Sequence, residues 1–250
     1  MKQHKGMPIL ERSCTEAFSE WVHSARTSGA FLLLDKPKGW TSFDAVAFVR
    51  ARLRRRTGHA GTLDPIATGL LILGLGAATK VLGDFQQLPK TYRATLKLGA
   101  TTDTDDAEAP ERIVCPEVTV TEEEIRRQLE RFRGTLRQIP PRYAAIKHQG
   151  KRLYELARAG IAVQPPARTV TISQLELHSF TPPLLELSLV CSAGTYVRAL
   201  ARDLGEALGC GAYVLELRRC AIGPYRVEDA LTPQEFAHWI DSYARLHPAL

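Results

Sequence analysis

Residues 58–71, GHAGTLDPIATGLL, set one carboxylate, Asp64, among residue types suited to turning rather than packing. Pro65 fixes the chain just past the acid, and Gly58, Gly61 and Gly69 mark a tight path around it. Thr62, Thr68 and the neighbouring backbone amides can hold the carboxylate in one orientation, and His59 is a second polar group on the same loop. An isolated Asp-Pro is an ordinary surface turn. Here the density of Gly and Thr, and the apolar run 70–75 anchoring the far end, point instead to a functional acid on a firmly held loop. Immediately upstream stand Arg50, Arg52, Arg54, Arg55 and Arg56. Cations at a helix end are favoured by its dipole and ordinarily form a solvated face. Beside the Asp64 loop, phosphate binding is the competing reading.

The remaining composition narrows the chemistry. The 250 residues suit one large domain, or one domain with a small appendage, and the formal net charge of +6 suits a polyanionic partner such as nucleic acid. The five cysteines form no C-x-x-C pair and the histidines lack zinc spacing, so neither a disulfide framework nor a structural metal is implied. Asp103, Asp105, Asp106 and Glu108 resemble part of a calcium loop but lack its Gly and terminal Glu. Gly74-Leu75-Gly76 is a fragment of a dinucleotide fingerprint without the acid or context that one needs. No apolar run is long enough to span a bilayer and the N-terminus has no signal-peptide core, so the chain reads as cytoplasmic.

The elements that must position these residues follow from pattern. Residues 31–34 form a strand ended by the turn at Asp35-Lys36-Pro37-Lys38-Gly39, followed by a helix capped by Thr41 or Ser42 and running to Leu53. Residues 91–98 alternate as a half-buried strand. Thr121-Glu122-Glu123-Glu124 opens a helix with Ile125, Leu129 and Phe132 on one face, ended by Gly134. Residues 143–160 carry Lys147, Lys151, Arg152 and Arg158 and a helical part with Tyr154, Leu156 and Ala157 on its apolar side. Residues 184–191 read as a strand leading through Gly194-Thr195-Tyr196-Val197-Arg198 into a helix that ends at Gly209. A short strand, 214–217, precedes Arg218-Arg219. Thr232-Pro233-Gln234-Glu235 caps a last helix carrying Phe236, Trp239, Ile240 and Tyr243. Residues 1–29 read as an N-terminal extension that docks weakly, with a short helix over 16–26. Mixed helices and strands, several antiparallel, make the fold class α+β (mixed α/β).

The 58–71 stretch resembles the catalytic motif of the bacterial tRNA pseudouridine-55 synthases, the TruB type, in which GHxGTLDPxATGxL surrounds an essential Asp. Asp35-Lys36-Pro37-x-Gly39, Lys90-Thr91-Tyr92, the 194–198 stretch, Leu217-Arg218-Arg219 and residues 150–155 resemble further motifs of that family, in its order. The resemblance covers about residues 30–235. It implies the pseudouridine synthase fold, a largely antiparallel mixed sheet flanked by helices with a central cleft. Residues 30–250 would be the catalytic domain, without the PUA-type RNA-binding domain that members often carry after it. It implies isomerisation of the T-loop uridine (position 55) of tRNA, by flipping the base out and breaking and re-forming its glycosidic bond, with no cofactor or metal.

On the same resemblance Asp64, Arg198 and Tyr196 are catalytic, Arg198 pairing with Asp64 to keep it ionised. Whether Asp64 attacks C1′ or removes the C2′ proton stays open. His59 supports the displaced RNA, Tyr92 stacks on the uracil, Tyr196 contacts the base, and Leu217 lines the uracil pocket. Lys36, Arg54, Arg55, Arg56, Lys147 and Lys151 are expected at the RNA backbone. The partner implied is the T arm of tRNA, bound by a monomer with no obligate protein partner. Ile72 departs from the Pro common in the family, and residues 107–110 lack a usual Gly. A pseudouridine synthase with another RNA target, or an RNA-binding chaperone of tRNA folding, are the competing readings. On the residues alone, Tyr92 could be core filler and Arg198 could pair with Asp203.

Overall fold

Strand Thr68–Gly76 (TGLLILGLG) is buried on both faces, as a continuous apolar run should be. It pairs antiparallel with Gly29–Lys36, placing Leu71 opposite Leu34 and Leu73 opposite Leu32. Thr57–His59 also pairs antiparallel with it, while Arg218 and Arg219 of strand Ala212–Ile222 run parallel beside Thr68 and Gly69. The twofold alternation of a strand sends Leu71, Leu73 and Leu75 into one core and Leu70 and Ile72 into another. The first core is closed by helices Phe18–Thr27, Ser42–Leu53 and Pro233–Leu246, through Trp21, Val46, Val49 and Phe236. Thr41 and Thr232 each start their helix with a reciprocal capping box, to Asp44 and Glu235.

This computed structural model describes residues 1–144, 147–148, 151–152 and 165–247. Its chain divides into two units, Met1–Leu88 with Arg218–Leu250, and Pro89–Leu217. The expectation that residues 1–29 dock weakly is corrected in the first unit. Strand Met7–Leu10 adds parallel to Gly29–Lys36, and Trp21 is fully buried with its indole N–H donated to the Phe31 carbonyl at 2.7 Å. An indole buried with its donor satisfied contributes a large apolar area at no polar penalty, so this segment belongs to the core.

The second unit holds a sheet in the order Ala212–Ile222 (its residues 212–217), Lys90–Leu98, Leu184–Cys191, Arg168–Thr181 and Gly134–Gln138, antiparallel from Lys90–Leu98 onward. Tyr92 lies opposite Leu189, and Gln138 opposite Arg168. Helices Glu122–Glu130 and Val197–Ala207 lie in the same unit, the first opened by the Thr121 capping box. Lys147–His148 pairs with Lys151–Arg152 as two short antiparallel strands. The helix expected around Tyr154, Leu156, Ala157 and Arg158 lies outside the described residues. No described helix is long and apolar enough to cross a membrane.

Candidate active site

The Asp64 loop is held through its backbone at nearly every step. Because Thr41 caps the helix, Ser42 is free to turn inward, where its hydroxyl donates to the Leu63 carbonyl at 3.1 Å and accepts from the Leu63 N–H at 2.8 Å. Gly39 N–H donates to the Pro65 carbonyl at 2.8 Å, and Ala67 N–H to the Asp64 carbonyl at 3.0 Å. Arg219, 1% exposed, closes the loop's two ends: its Nε donates to the Leu70 carbonyl at 2.8 Å and its Nη2 to the Gly61 carbonyl at 3.1 Å. Gly69 (φ +107°) allows that approach, since a Cβ there would meet the Arg219 backbone oxygen at 2.3 Å. These bonds fix the neighbours of Asp64 while the residue itself stays half-buried, able to meet a ligand.

His59 sits at the start of the loop, opposite Leu73. Burial, reinforced by the Arg219 charge, holds its imidazole below the usual histidine range, so the ring is neutral at neutral pH. The side chains of Arg54, Arg55 and Arg56 are exposed, with Arg54 in the left-handed conformation just past the helix (φ 51°). Arg52 is tied down instead, its guanidinium 3.8 Å from the Phe48 ring centroid. Lys36 corrects the expectation of a phosphate contact. It is fully buried, and its ammonium donates to the carbonyls of Pro37 at 2.9 Å and Trp40 at 2.6 Å. It therefore organises the turn before the helix and presents no charge to a phosphate. Arg218 makes a two-pronged pair with Asp35, at 3.1 and 2.7 Å, which further raises the guanidinium's pKa.

The second unit carries Tyr92, Tyr196, Arg198 and Leu217. Tyr92 and Leu217 are largely buried, and Tyr196 is half-buried at the start of helix Val197–Ala207. Arg198, 5% exposed, donates through Nη1 to the Thr104 carbonyl at 3.0 Å and through Nη2 to the Tyr143 carbonyl at 3.2 Å. The same Nη1 lies 3.4 Å from the carboxylate of Asp106, which is fully buried. The other oxygen of Asp106 accepts from the Thr104 hydroxyl at 2.6 Å and the Glu108 N–H at 3.0 Å. Asp203 takes Arg202 rather than Arg198, at 2.8 Å. Burial, the leading cause, pushes the carboxyls of Asp105 and Asp203 up against the pull of Arg202.

Asp64, His59 and Arg54–56 thus belong to the first unit, and Tyr92, Tyr196, Arg198 and Leu217 to the second. The side chains of Lys147 and Lys151 lie outside the described residues. Sequence reasoning missed three supporting residues. Asp106 was set aside with the rejected calcium loop. Arg219 was noted in a motif without a task, and Ser42 was read only as a possible cap. Among the described residues no group of His, Cys, Asp and Glu is arranged to hold a metal ion.

Comparison with known proteins identifies the family. Residues 50–197 match the model of the TruB family pseudouridylate synthase N-terminal domain, and residues 198–246 match the tRNA pseudouridylate synthase B C-terminal domain. The chain is 48% identical to the tRNA pseudouridine synthase B of Aromatoleum aromaticum, over 87% of this chain and 70% of that one. It is 45% identical to that of Bacteroides thetaiotaomicron, over 85% and 93%. Among solved structures it superposes on a chain of a Cbf5-Nop10-Gar1 complex with a TM-score of 0.69, at 27% identity, covering 92% of this chain and 59% of that one. A chain of an H/ACA RNP bound to a substrate RNA gives 0.65 at 26% identity, covering 89% and 56%. The chain therefore spans little more than half of those solved chains, which share its pseudouridine synthase fold. With family models over residues 50–246 and relatives matched along most of their length, the chain belongs to the TruB family of pseudouridylate synthases.

Proposed function

We propose that the chain isomerises the T-loop uridine of tRNA to pseudouridine, acting as a monomer in the cytoplasm. As a member of its family it is an isomerase. The finer reading, a tRNA T arm as substrate, draws on the named relatives and on the site. The observation that carries it is the Asp64 loop, pinned at Gly61, Leu63, Pro65, Ala67 and Leu70 around one half-buried carboxylate.

The reaction breaks N1–C1′, turns the uracil while it stays bound, and forms C5–C1′, with no net gain or loss of electrons. The uridine must first leave its stack, at about a few kcal/mol. Stacking on Tyr92 returns roughly 1–3 kcal/mol of that. Asp64 then acts at the sugar, as nucleophile at C1′ or base at C2′. By the family motif, Arg198 is its counter-ion and Tyr196 contacts the base and is placed to take the proton from C5. His59, kept neutral, supports the displaced RNA and Leu217 lines the uracil pocket. The test is mass-spectrometric mapping of pseudouridine in unmodified tRNA with and without the protein. New pseudouridine at the T-loop position is the expected result, and its absence there sinks the reading.

The grip on the RNA backbone has its own measurement. Arg54, Arg55 and Arg56 form a dense exposed cationic run at the end of helix Ser42–Leu53. Each phosphate contact steepens the fall of log affinity with log salt by roughly 0.7–0.9. Replacing all three by Gln should weaken tRNA binding and flatten that slope by about one to three such contacts. The single-turnover rate on saturating tRNA should change much less, because phosphate contacts position the RNA without touching the uracil. An unchanged slope across a salt series would leave the three arginines as a solvated helix end.

A further inference from the structure

We infer that Gln138 is a positioning residue for Tyr196 and, through it, for Arg198; the inference rests on the catalytic roles proposed above. Gln138 ends strand Gly134–Gln138 and is 1% exposed. Along that strand Leu136 and Gln138 share one face while Thr135 and Arg137 are exposed, so position 138 is an inward one where an apolar residue is the ordinary choice. A buried primary amide is tolerated only when its groups are hydrogen-bonded. Both are satisfied here by a single residue's backbone. Gln138 Nε2 donates to the Tyr196 carbonyl at 3.0 Å, and Gln138 Oε1 accepts the Tyr196 N–H at 2.8 Å. The side chain thus pairs with Tyr196 as a neighbouring strand would.

The place of Tyr196 explains why such a clamp is needed. It is the extended residue (φ −109°, ψ 113°) before helix Val197–Ala207, and no side chain of its own caps that helix. The loop leading to it is pinned at its other end, where Ser192 N–H donates to the Thr171 carbonyl and the Ser192 hydroxyl accepts from the Thr171 N–H. Thr171 and Gln138 sit on adjacent paired strands, so one rigid edge holds both ends of residues 192–196. Tyr196 is fixed between that edge and the helix, whose Leu200 N–H also donates to its carbonyl at 3.1 Å. Rotating the Tyr196 peptide would redirect its ring and shift Arg198 two residues on. Misplacement by about 1 Å can cost roughly 100-fold in rate.

The test uses the full chain and unmodified tRNA, with two variants. Gln138→Met keeps length and removes both bonds. It should lower the single-turnover rate by roughly 10- to 100-fold while tRNA affinity stays within a few-fold. Gln138→Glu keeps the acceptor and loses the donor when ionised. Burial raises a carboxyl pKa, and the protonated acid regains a donor for the Tyr196 carbonyl. The ratio of its rate to the wild-type rate should therefore rise as pH falls, which a merely space-filling residue would not produce. Hydrogen exchange at the Tyr196 amide should quicken in Gln138→Met relative to neighbouring helix amides, a readout independent of activity. Wild-type rate and exchange in Gln138→Met would overturn the inference. Absence of pseudouridine with the wild-type protein would instead overturn the proposed function, leaving the exchange measurement to decide the role of Gln138. Tyr196→Phe, run in parallel, tests the hydroxyl by itself: a slow Gln138→Met beside an unimpaired Tyr196→Phe assigns the loss to the misplaced ring or to Arg198 and not to the hydroxyl.

Discussion

Asp64→Asn is expected to lose pseudouridine formation by at least about 10³-fold while binding tRNA within a few-fold of the wild-type affinity. The substitution keeps the side chain's size and removes its charge and its nucleophilic or basic oxygen. The loop should survive it, because the bonds that shape the loop run through the backbone of Gly61, Leu63, Pro65, Ala67 and Leu70 and through the Asp64 carbonyl. Single-turnover assays on unmodified tRNA, paired with filter binding, make the comparison. Ordinary turnover by a folded variant would remove Asp64 from the mechanism. A variant that binds tRNA and still refolds it without modifying it would separate a chaperone activity from the chemistry.

Gly69→Ala carries the second large effect, and it acts on the fold before it acts on the chemistry. At φ +107° a side chain is strained wherever it points, and here the added Cβ would lie 2.3 Å from the Arg219 carbonyl oxygen and 2.7 Å from its nitrogen. Those are backbone atoms of a paired strand, which cannot swing aside as a flexible side chain would. Backbone strain and overpacking together should cost on the order of 3–5 kcal/mol. Thermal or urea denaturation should show the loss, and any variant that still folds should turn over slowly, because displaced Arg219 no longer ties Gly61 to Leu70. Gly39→Ala is the control. It also has positive φ, at 84°, but no atom stands within 4 Å of a built Cβ. It should lose only the conformational part, roughly 1–2 kcal/mol. Equal stability of Gly69→Ala and wild type would show that the strand pair at Arg219 yields more easily than its buried contacts imply.

Local signals in the sequence located most of the elements. The capping boxes at Thr121 and Thr232 are contained in four consecutive residues and each starts a helix, and of the two caps open at 41–42 the fold takes Thr41. The apolar run at 70–75 reads from sequence only as a buried anchor for the Asp64 loop, and the fold makes it the strand Thr68–Gly76. Strand Arg168–Thr181 escaped because its alternation is broken twice, by register shifts between Ile172 and Gln174 and between Leu177 and Ser179. Strand Gly134–Gln138 is mostly exposed and opens on a glycine, so it looked like a helix stop. The site was legible as residue types and illegible as partnerships. Lys36 looks solvated in Asp-Lys-Pro-Lys-Gly, and only the fold buries it. Arg198 finds Thr104 and Asp106 more than ninety residues away, a separation no spacing rule covers.

The strand Ala212–Ile222 also fixes an order of events during synthesis. Residues 89–217 are contiguous, so the second unit has all its strands before the ribosome reaches Arg218. The first unit does not. Its strand Thr68–Gly76 emerges early, yet Arg219 follows Leu70 by 149 residues and Gly61 by 158. Leu231, which donates to the Leu33 carbonyl, and Phe236, which fills the core beside Trp21, come later still. The Asp64 loop therefore spends most of translation without the arginine that ties its ends together. A carboxylate loop that is tied only when the chain is nearly finished cannot be presented in its final shape by a nascent fragment, and a chain cut short before Arg219 lacks the tie however well its first eighty-eight residues pack.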